Sequence, residues 1–407
     1  MKSMTKTNII PQTSKFSTSK SKFSTSKTKL SKLPKIDIVL SVAWSLAIIS
    51  AFFVHPSIEY IDYIDFRSLG ILWGLMVIIQ GLRYHHIFEA IAKVLLEKVS
   101  KQWQLVMVLV FMCFLGSMVI TNDVALITFV PFTIMILKSC NKEKIMAPVI
   151  VMQTIAANLG SMLTPIGNPQ NLYMYGITKM NFLGFVGILF PYTIISAIMI
   201  IVAIFIFAYD KEELDTSSAE FAAESEGQNN IVQKVKIIMY ITLFLVAILA
   251  VLRVVPWYVF AITVLAVVGI FERKILLKAD YILIFTFVGF FVFTGNMGKI
   301  TMIRSFLEGI LKTHEFAVGV ITSQFISNVP ATLMLSGFAN NYKQLLIGVN
   351  VGGLGTLIAS MASLISYKAY VKEYENGGGK FIKTFTIFNV IFLMVLIGAN
   401  VFLYGRI

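Results

Sequence analysis

Asn158-Leu159-Gly160-Ser161-Met162-Leu163-Thr164-Pro165-Ile166-Gly167-Asn168-Pro169-Gln170-Asn171 breaks an otherwise apolar run, and a similar break returns at Asn350-Val351-Gly352-Gly353-Leu354-Gly355-Thr356. Setting Asn158 on Asn350 brings Gly160 onto Gly352, Thr164 onto Thr356 and Ile166 onto Ile358. A shorter polar break precedes each one. Thr121-Asn122-Asp123 interrupts 105–137, and Ser327-Asn328-Val329-Pro330 interrupts 316–338. Interrupted hydrophobic segments in corresponding positions of two halves point to the binding site of a membrane transporter.

The composition agrees. With 57% hydrophobic and 14% charged residues, the chain cannot cover itself with a polar surface in water. Apolar stretches near the roughly 20 residues that span a bilayer recur at 36–54, 68–82, 181–208, 233–252, 256–271, 281–297 and 381–404. β-Barrel strands would be shorter and alternating. The expected fold is an all-α polytopic membrane protein: about nine full-length or broken transmembrane helices and two re-entrant hairpins, arranged as an inverted repeat.

The formal charge of +13 is concentrated at the start, where nine lysines from Lys2 to Lys35 have no acid beside them; 13 less nine leaves +4 for the rest. Residues 1–35 contain the near-duplicates Lys15-Phe16-Ser17-Thr18-Ser19-Lys20 and Lys22-Phe23-Ser24-Thr25-Ser26-Lys27. This composition is too polar to pack a core and reads as a disordered cytoplasmic tail and a positive-inside signal, not a nucleic-acid site. Cys113 and Cys140 lack metal-ligand spacing, and His55, His85, His86 and His314 lack the two-histidine helical spacing of a zinc protease.

With the tail inside, the loops follow the positive-inside rule. Glu59, Asp62 and Asp65 fall outside, whereas Arg83, Lys93, Lys98 and Lys101, and then Lys138, Lys142 and Lys144, fall inside. Residues 84–99 read as an amphipathic helix on the inner surface. The first inverted repeat is 36–208, with an inward-opening hairpin at 103–138. Residues 209–255 comprise a linker, acidic from Asp210 to Asn230, and one extra helix. The second repeat is 256–407, with an outward-opening hairpin at 316–340. The extra crossing is needed because the first unit begins and ends inside, so an inverted copy must begin outside.

The arm 124–138 is about 22 Å at 1.5 Å per residue, short of the roughly 30 Å core, which favours re-entrance. A hairpin tip that begins a helix presents unpaired N–H groups and focuses positive charge, so it suits an anion. Asn122, Asp123 and Asn328 are good capping residues, and Pro330 fits a first turn. Unwound stretches at Gly160 to Asn168 and Gly352 to Thr356 would offer carbonyl oxygens to Na⁺. Small-residue clusters also serve helix packing, but four breaks in repeated order exceed what packing needs. Asp123 at membrane depth would cost about 2.5–3.5 kcal/mol unpaired, so it marks function.

These residues resemble the ion transporter superfamily of divalent-anion/sodium symporters, citrate transporters, arsenite permeases and some sodium/proton antiporters. The stretch 163–171 is most similar to arsenite-permease and citrate-permease-like anion transporters. The resemblance implies elevator-type motion, often homodimers, and a secondary transporter in the plasma membrane driven by Na⁺ or H⁺, with no other cofactor. Dicarboxylate symporters carry Ser-Asn-Thr at both tips; here only the central Asn matches at both, and Asp123 resembles the arsenite permeases. The implied solute is a small carboxylate, such as citrate or a dicarboxylate, or an arsenite-like oxyacid. Its expected contacts are Thr121, Asn122, Thr164, Pro165, Gly167, Asn168, Ser327, Asn328, Thr356 and Ser360. The coupling ion is expected at Asp123, Asn158, Gly160, Asn350 and Gly352, with Na⁺ at Asp123, Asn158 and Asn350. A sodium/proton antiporter of the same fold is the nearest alternative. An intramembrane enzyme lacks a paired acid, Ser-His or metal set, and a membrane scaffold needs no matched breaks.

Overall fold

Asp37, Asp65 and Asp280 each start a long apolar helix by accepting backbone N–H groups, from Val39 and Leu40, from Ser68 and from Leu283 respectively. The structure is a computed structural model that describes residues 37–96, 99–209, 231–375 and 377–405. The expected tail 1–35 and the acidic linker Asp210 to Asn230 lie outside the described residues.

Among the described residues the regular structure is helical. The first run comprises α1 (Ile38–Ala51), α2 (Phe66–Tyr84), α3 (Ile87–Leu96), α4 (Gln102–Gly116), α5 (Asn122–Ser139), α6 (Met146–Ser161), α7 (Pro169–Thr178) and α8 (Phe182–Ala208). α9 (Ile231–Val251) follows alone. The order then returns as α10 (Trp257–Leu276), α11 (Tyr281–Lys299), α12 (Thr301–Leu311), α13 (Glu315–Ile326), α14 (Asn328–Ser336), α15 (Tyr342–Val351), α16 (Met361–Glu373) and α17 (Gly378–Tyr404). Each run has two spans, a short helix, a two-armed hairpin, a helix broken in two and a closing helix of 27 residues.

Six of these helices are long and apolar enough to cross a membrane: α2, α5, α8, α9, α11 and α17. Large apolar side chains such as Ile198, Ile206, Ile262 and Phe402 stand exposed on the outer helices, a surface suited to lipid. The hairpins differ from one another. α5 has 18 residues, about 27 Å at 1.5 Å per residue, and is longer than the arm expected from the sequence. α14 has nine, about 14 Å, well short of a crossing.

Packing also repeats. α1 lies on α11 and α10 lies on α2, the same pairing made once from each run, and α9 also packs on α2. Glycines on α2 let bulky rings approach: a Cβ on Gly74 would sit 2.4 Å from the Phe260 ring, and one on Gly81 would sit 2.1 Å from that of Tyr240. The hairpins and broken helices pack among themselves and with α8 and α17.

Contacts at the helix ends sort the loops into two sets. On the side expected to be inner, Gln102 Nε2 donates to Ala208 O at 3.2 Å, Tyr374 Oη to Glu143 at 3.2 Å, and Lys236 Nζ to Glu272 at 2.8 Å. On the other, Arg253 donates to Tyr175 O at 2.8 Å, Arg67 to Val251 O at 3.4 Å, and Lys299 pairs with Glu59. Each contact joins loops that an alternating series of crossings leaves on one side.

Candidate functional site

The hairpin tips seat against the broken helices by one contact made twice. Asn122 N–H, at the start of α5, donates to Gly167 O at 3.1 Å, and Asn328 N–H, at the start of α14, donates to Ala359 O at 2.9 Å. Gly167 and Ala359 coincide when Asn158 is set on Asn350. The threonines repeat as well. Thr164 Oγ1 donates to Met118 O at 2.6 Å and Thr356 Oγ1 to Gln324 O at 3.0 Å, and each acceptor lies four residues before its tip asparagine. Each hydroxyl also accepts an N–H three residues on, from Gly167 at 3.1 Å and Ala359 at 3.2 Å. Thr164 and Thr356 therefore fasten each break to its own hairpin.

The two halves are joined by a crossed pair. Asn168 Nδ2 donates to Asn350 Oδ1 at 3.1 Å, and Ser360 Oγ donates to Asn158 Oδ1 at 2.9 Å. Asn158 Oδ1 also accepts from Asn122 Nδ2 at 3.0 Å, while Asn350 Nδ2 donates to Asn171 Oδ1 at 2.7 Å. All six side chains are buried. The network ties the first tip and both breaks together. The second tip meets it at the glycines, where a Cβ on Gly353 would lie 2.8 Å from Asn328 Nδ2.

Several expectations change. Asn122 and Asn328 are the first helical residues, not caps; Thr121 and Ser327 hold the cap positions without a side-chain cap bond. Asn122 Oδ1 instead accepts from Asp123 N–H at 3.0 Å, and the partly buried Asp123 carboxylate has no hydrogen-bond or ionic partner among the described residues. Ser327 takes φ +73°, a region sparsely populated by non-glycine residues. Pro165 is buried in the first break, whereas Thr356 stands exposed at the edge of the second.

Gly160 lies within α6, so the unwound stretch begins after Ser161. A Cβ there would come 2.0 Å from Phe114 O and 2.7 Å from Ser117 Oγ; at Gly352 it would come 2.9 Å from Ser323 Oγ. These glycines admit the hairpin arms. Close packing explains why glycine stands at both positions.

The free carbonyls of the breaks are engaged by amides that the sequence reading left out. Asn171 Nδ2 donates to Met162 O at 2.8 Å and Thr164 O at 3.1 Å. Gln324 Nε2 donates to Gly352 O and Leu354 O, each at 2.9 Å. The signal for Gln324 was the polar run Thr322-Ser323-Gln324 one turn before the tip in an otherwise apolar segment. Asn171 closes the same motif that Asn158 opens. Among the described residues no cluster of three or more His, Cys, Asp or Glu is arranged to hold a metal ion.

An all-helical membrane chain whose two hairpins meet two broken helices in a buried polar network has the build of an integral membrane transporter. The chain belongs to the citrate transporter family, whose pattern matches residues 30–344. It is 30% identical over 346 residues to an uncharacterized transporter of Methanocaldococcus jannaschii, covering 84% of this chain and 90% of that one. It is 27% identical to the inner membrane protein YbiR of Escherichia coli, covering 75% and 80%. A shorter match, 29% identical over 30% of this chain and 25% of the relative, is to the silicon efflux transporter LSI3 of Oryza sativa subsp. japonica.

Proposed function

We propose that the chain is a secondary active transporter of a small anion or weakly acidic oxyacid, working by elevator-type alternating access with 36–208 and 256–407 as inverted repeats. The observation that carries this reading is the crossed pair Asn168–Asn350 and Ser360–Asn158. It sets the ends of both broken helices beside the first tip, where the positive end of α5 and the second N–H of the Asn122 amide, the first being held by Asn158, suit an oxygen-rich solute. The family description, citrate transporter, and the relative named for silicon efflux fit an oxygen-bearing solute.

In this reading α1, α2 and α9 to α11 form a fixed frame. The hairpins and broken helices move past it, along the faces where α14 meets α11 and α7 meets α2. The protein sits in the cell membrane with its N-terminus in the cytoplasm, and pairs through the frame. The coupling ion is a proton taken by Asp123. Break carbonyls suited to Na⁺ are bonded by Asn171 and Gln324, whereas the Asp123 carboxylate is unpaired and half-buried.

The test is uptake of labelled citrate, succinate and arsenite into proteoliposomes under separate pH and Na⁺ gradients. Flux of one solute that follows the pH gradient, disappears in Asn122→Ala/Asn328→Ala and loses its gradient dependence in folded Asp123→Asn is the expected result. Flux that follows Na⁺ and ignores pH would overturn the proton assignment. Sodium–proton exchange with no solute flux would replace this reading with the antiporter.

A further inference from the structure

At the end of the frame expected to face the cytoplasm lies a pocket of about 760 Å³ that the transport reading does not use. Its walls come from three places in the chain: the α2–α3 junction with Arg83, Tyr84 and His85, the first turns of α9 with Lys236, and Lys278 just after α10.

The wall charges are arranged, not scattered. α10 leaves helical geometry at Glu272 (φ −149°, ψ 53°), and its carboxylate pairs with His85 Nε2 at 3.0 Å and Lys236 Nζ at 2.8 Å. The Glu272 and His85 side chains are largely buried. Glu89 lies 3.6 Å from His86. Glu272 is thus matched by Lys236, whereas Glu89 meets only His86 and keeps its Oε2 buried without a partner. Among the described residues the Arg83 guanidinium has no hydrogen-bond or ionic partner, and the Lys278 ammonium, 4.4 Å above the Tyr84 ring, has no carboxylate partner. With the histidines neutral, Arg83, Lys236 and Lys278 exceed Glu89 and Glu272 by one positive charge, and a guanidinium and an ammonium lining one pocket suit a phosphate: the fork bonds two oxygens while the point charge balances a third.

The pocket mouth continues into an apolar surface. Ile231, Val235 and Ile238 on α9 are 77%, 60% and 62% exposed, beginning at the turn that carries the pocket wall. A ligand with an anionic head and a hydrocarbon tail meets both surfaces; a free phosphate meets only one. We propose that this pocket binds the phosphate of an anionic phospholipid from the cytoplasmic leaflet, with the acyl chains along α9, so that one lipid bridges α2, α9 and α10.

Basic pockets between membrane helices on the cytoplasmic side are suited to such headgroups. The bridge would tie α9, the one helix outside both repeats, to the spans on either side of it. The frame could then hold its shape while the hairpins move.

Native mass spectrometry of the full chain, exchanged between phosphatidylglycerol and phosphatidylcholine, reads the site directly. The wild type should retain phosphatidylglycerol selectively, and Arg83→Gln/Lys278→Gln should lower that retention by about tenfold or more. Lys312→Gln/Lys343→Gln, at the opposite end, should leave it unchanged. If the double variant unfolds, Arg83→Lys alone should keep the fold and weaken retention, because the bidentate contact is lost. Equal retention of the two lipids, or unchanged retention in a folded Arg83/Lys278 variant, would overturn the proposal. So would displacement of the lipid by millimolar inorganic phosphate bound at the same residues, which would identify a site for free phosphate.

Discussion

Asn158 and Asn350 hold equivalent positions 192 residues apart, yet only Asn350 has both ends of its amide satisfied. Asn350 Nδ2 reaches Asn171 Oδ1. The residue that corresponds to Asn171 in the second half is Ser363, whose shorter side chain is buried with its Oγ unpaired, and Asn158 Nδ2 is buried and unpaired too. The crossed network is therefore complete on one side and one acceptor short on the other.

Replacing Ser363 with Asn supplies the missing acceptor. We expect Ser363→Asn to raise stability by about 1 kcal/mol, the net worth of one added hydrogen bond, and to slow transport by tying the second break to the first. A melting curve and a flux assay on the same preparation check this; an unchanged melting temperature would mean that the two positions do not face each other.

Asn158 Oδ1 accepts from both Asn122 and Ser360. Asn158→Leu leaves two buried donors unpaired, at about 1–3 kcal/mol each, whereas Asn158→Asp keeps both bonds. Urea or thermal unfolding in detergent should separate the two, with Leu the less stable by several kcal/mol.

Gly160→Ala forces a Cβ to within 2.0 Å of a backbone oxygen of α4. The backbone must shift, and we expect a loss of about 1–3 kcal/mol. Gly187→Ala, where nothing lies within 4 Å of the added atom, is the neutral control. Equal melting temperatures for the two variants would contradict the close approach of α4 to α6.

Ser327 is held at φ +73° without a cap bond. Glycine adopts that region freely, so Ser327→Gly should stabilise the second tip by about 1 kcal/mol, the lower end of such strain. A fall in melting temperature would show that the hydroxyl matters more than the strain.

Glu59, in the loop after α1, is held below its ordinary carboxyl value of 4.5 by its hydrogen bond to Lys299. A lowered folded-state value means that the pair's contribution is present above about pH 4.5 and is lost as the pH falls through the folded value. Both side chains are solvated and screened by salt, so the effect should be small. Glu59→Gln should flatten the acid limb of the stability curve at low ionic strength only, read by melting temperature against pH.

Much of the fold was legible because hydropathy and helix breaks are written locally. The spans, the extra helix at 231–251, the amphipathic helices and all four breaks follow from runs of apolar residues and the places where polar residues, Gly or Pro stop them. Within the candidate site, Asn122, Asn158, Asn168, Asn350 and Ser360 do meet. The roles read from residue type fared less well. A capping asparagine and a side-chain bridge look alike in sequence, and Asn122 turned out to be the bridge. Gly160 suited an unwound carbonyl ligand as well as a packing contact in sequence, and the nearness of Phe114 O is what shows the packing contact.

The sequence by itself determined that this is a membrane protein of two repeated halves with paired breaks, since hydrophobic length and the offset between motifs need no partner to be read. Only the tertiary structure decided that Asn168 bonds Asn350 while Ser360 bonds Asn158, that Asn171 and Gln324 occupy the break carbonyls, and that Asn158 and Ser363 are each left with an unpaired polar atom. Those facts depend on how side chains from distant segments reach one another, and a hydrogen bond exists only when donor and acceptor come within about 3 Å.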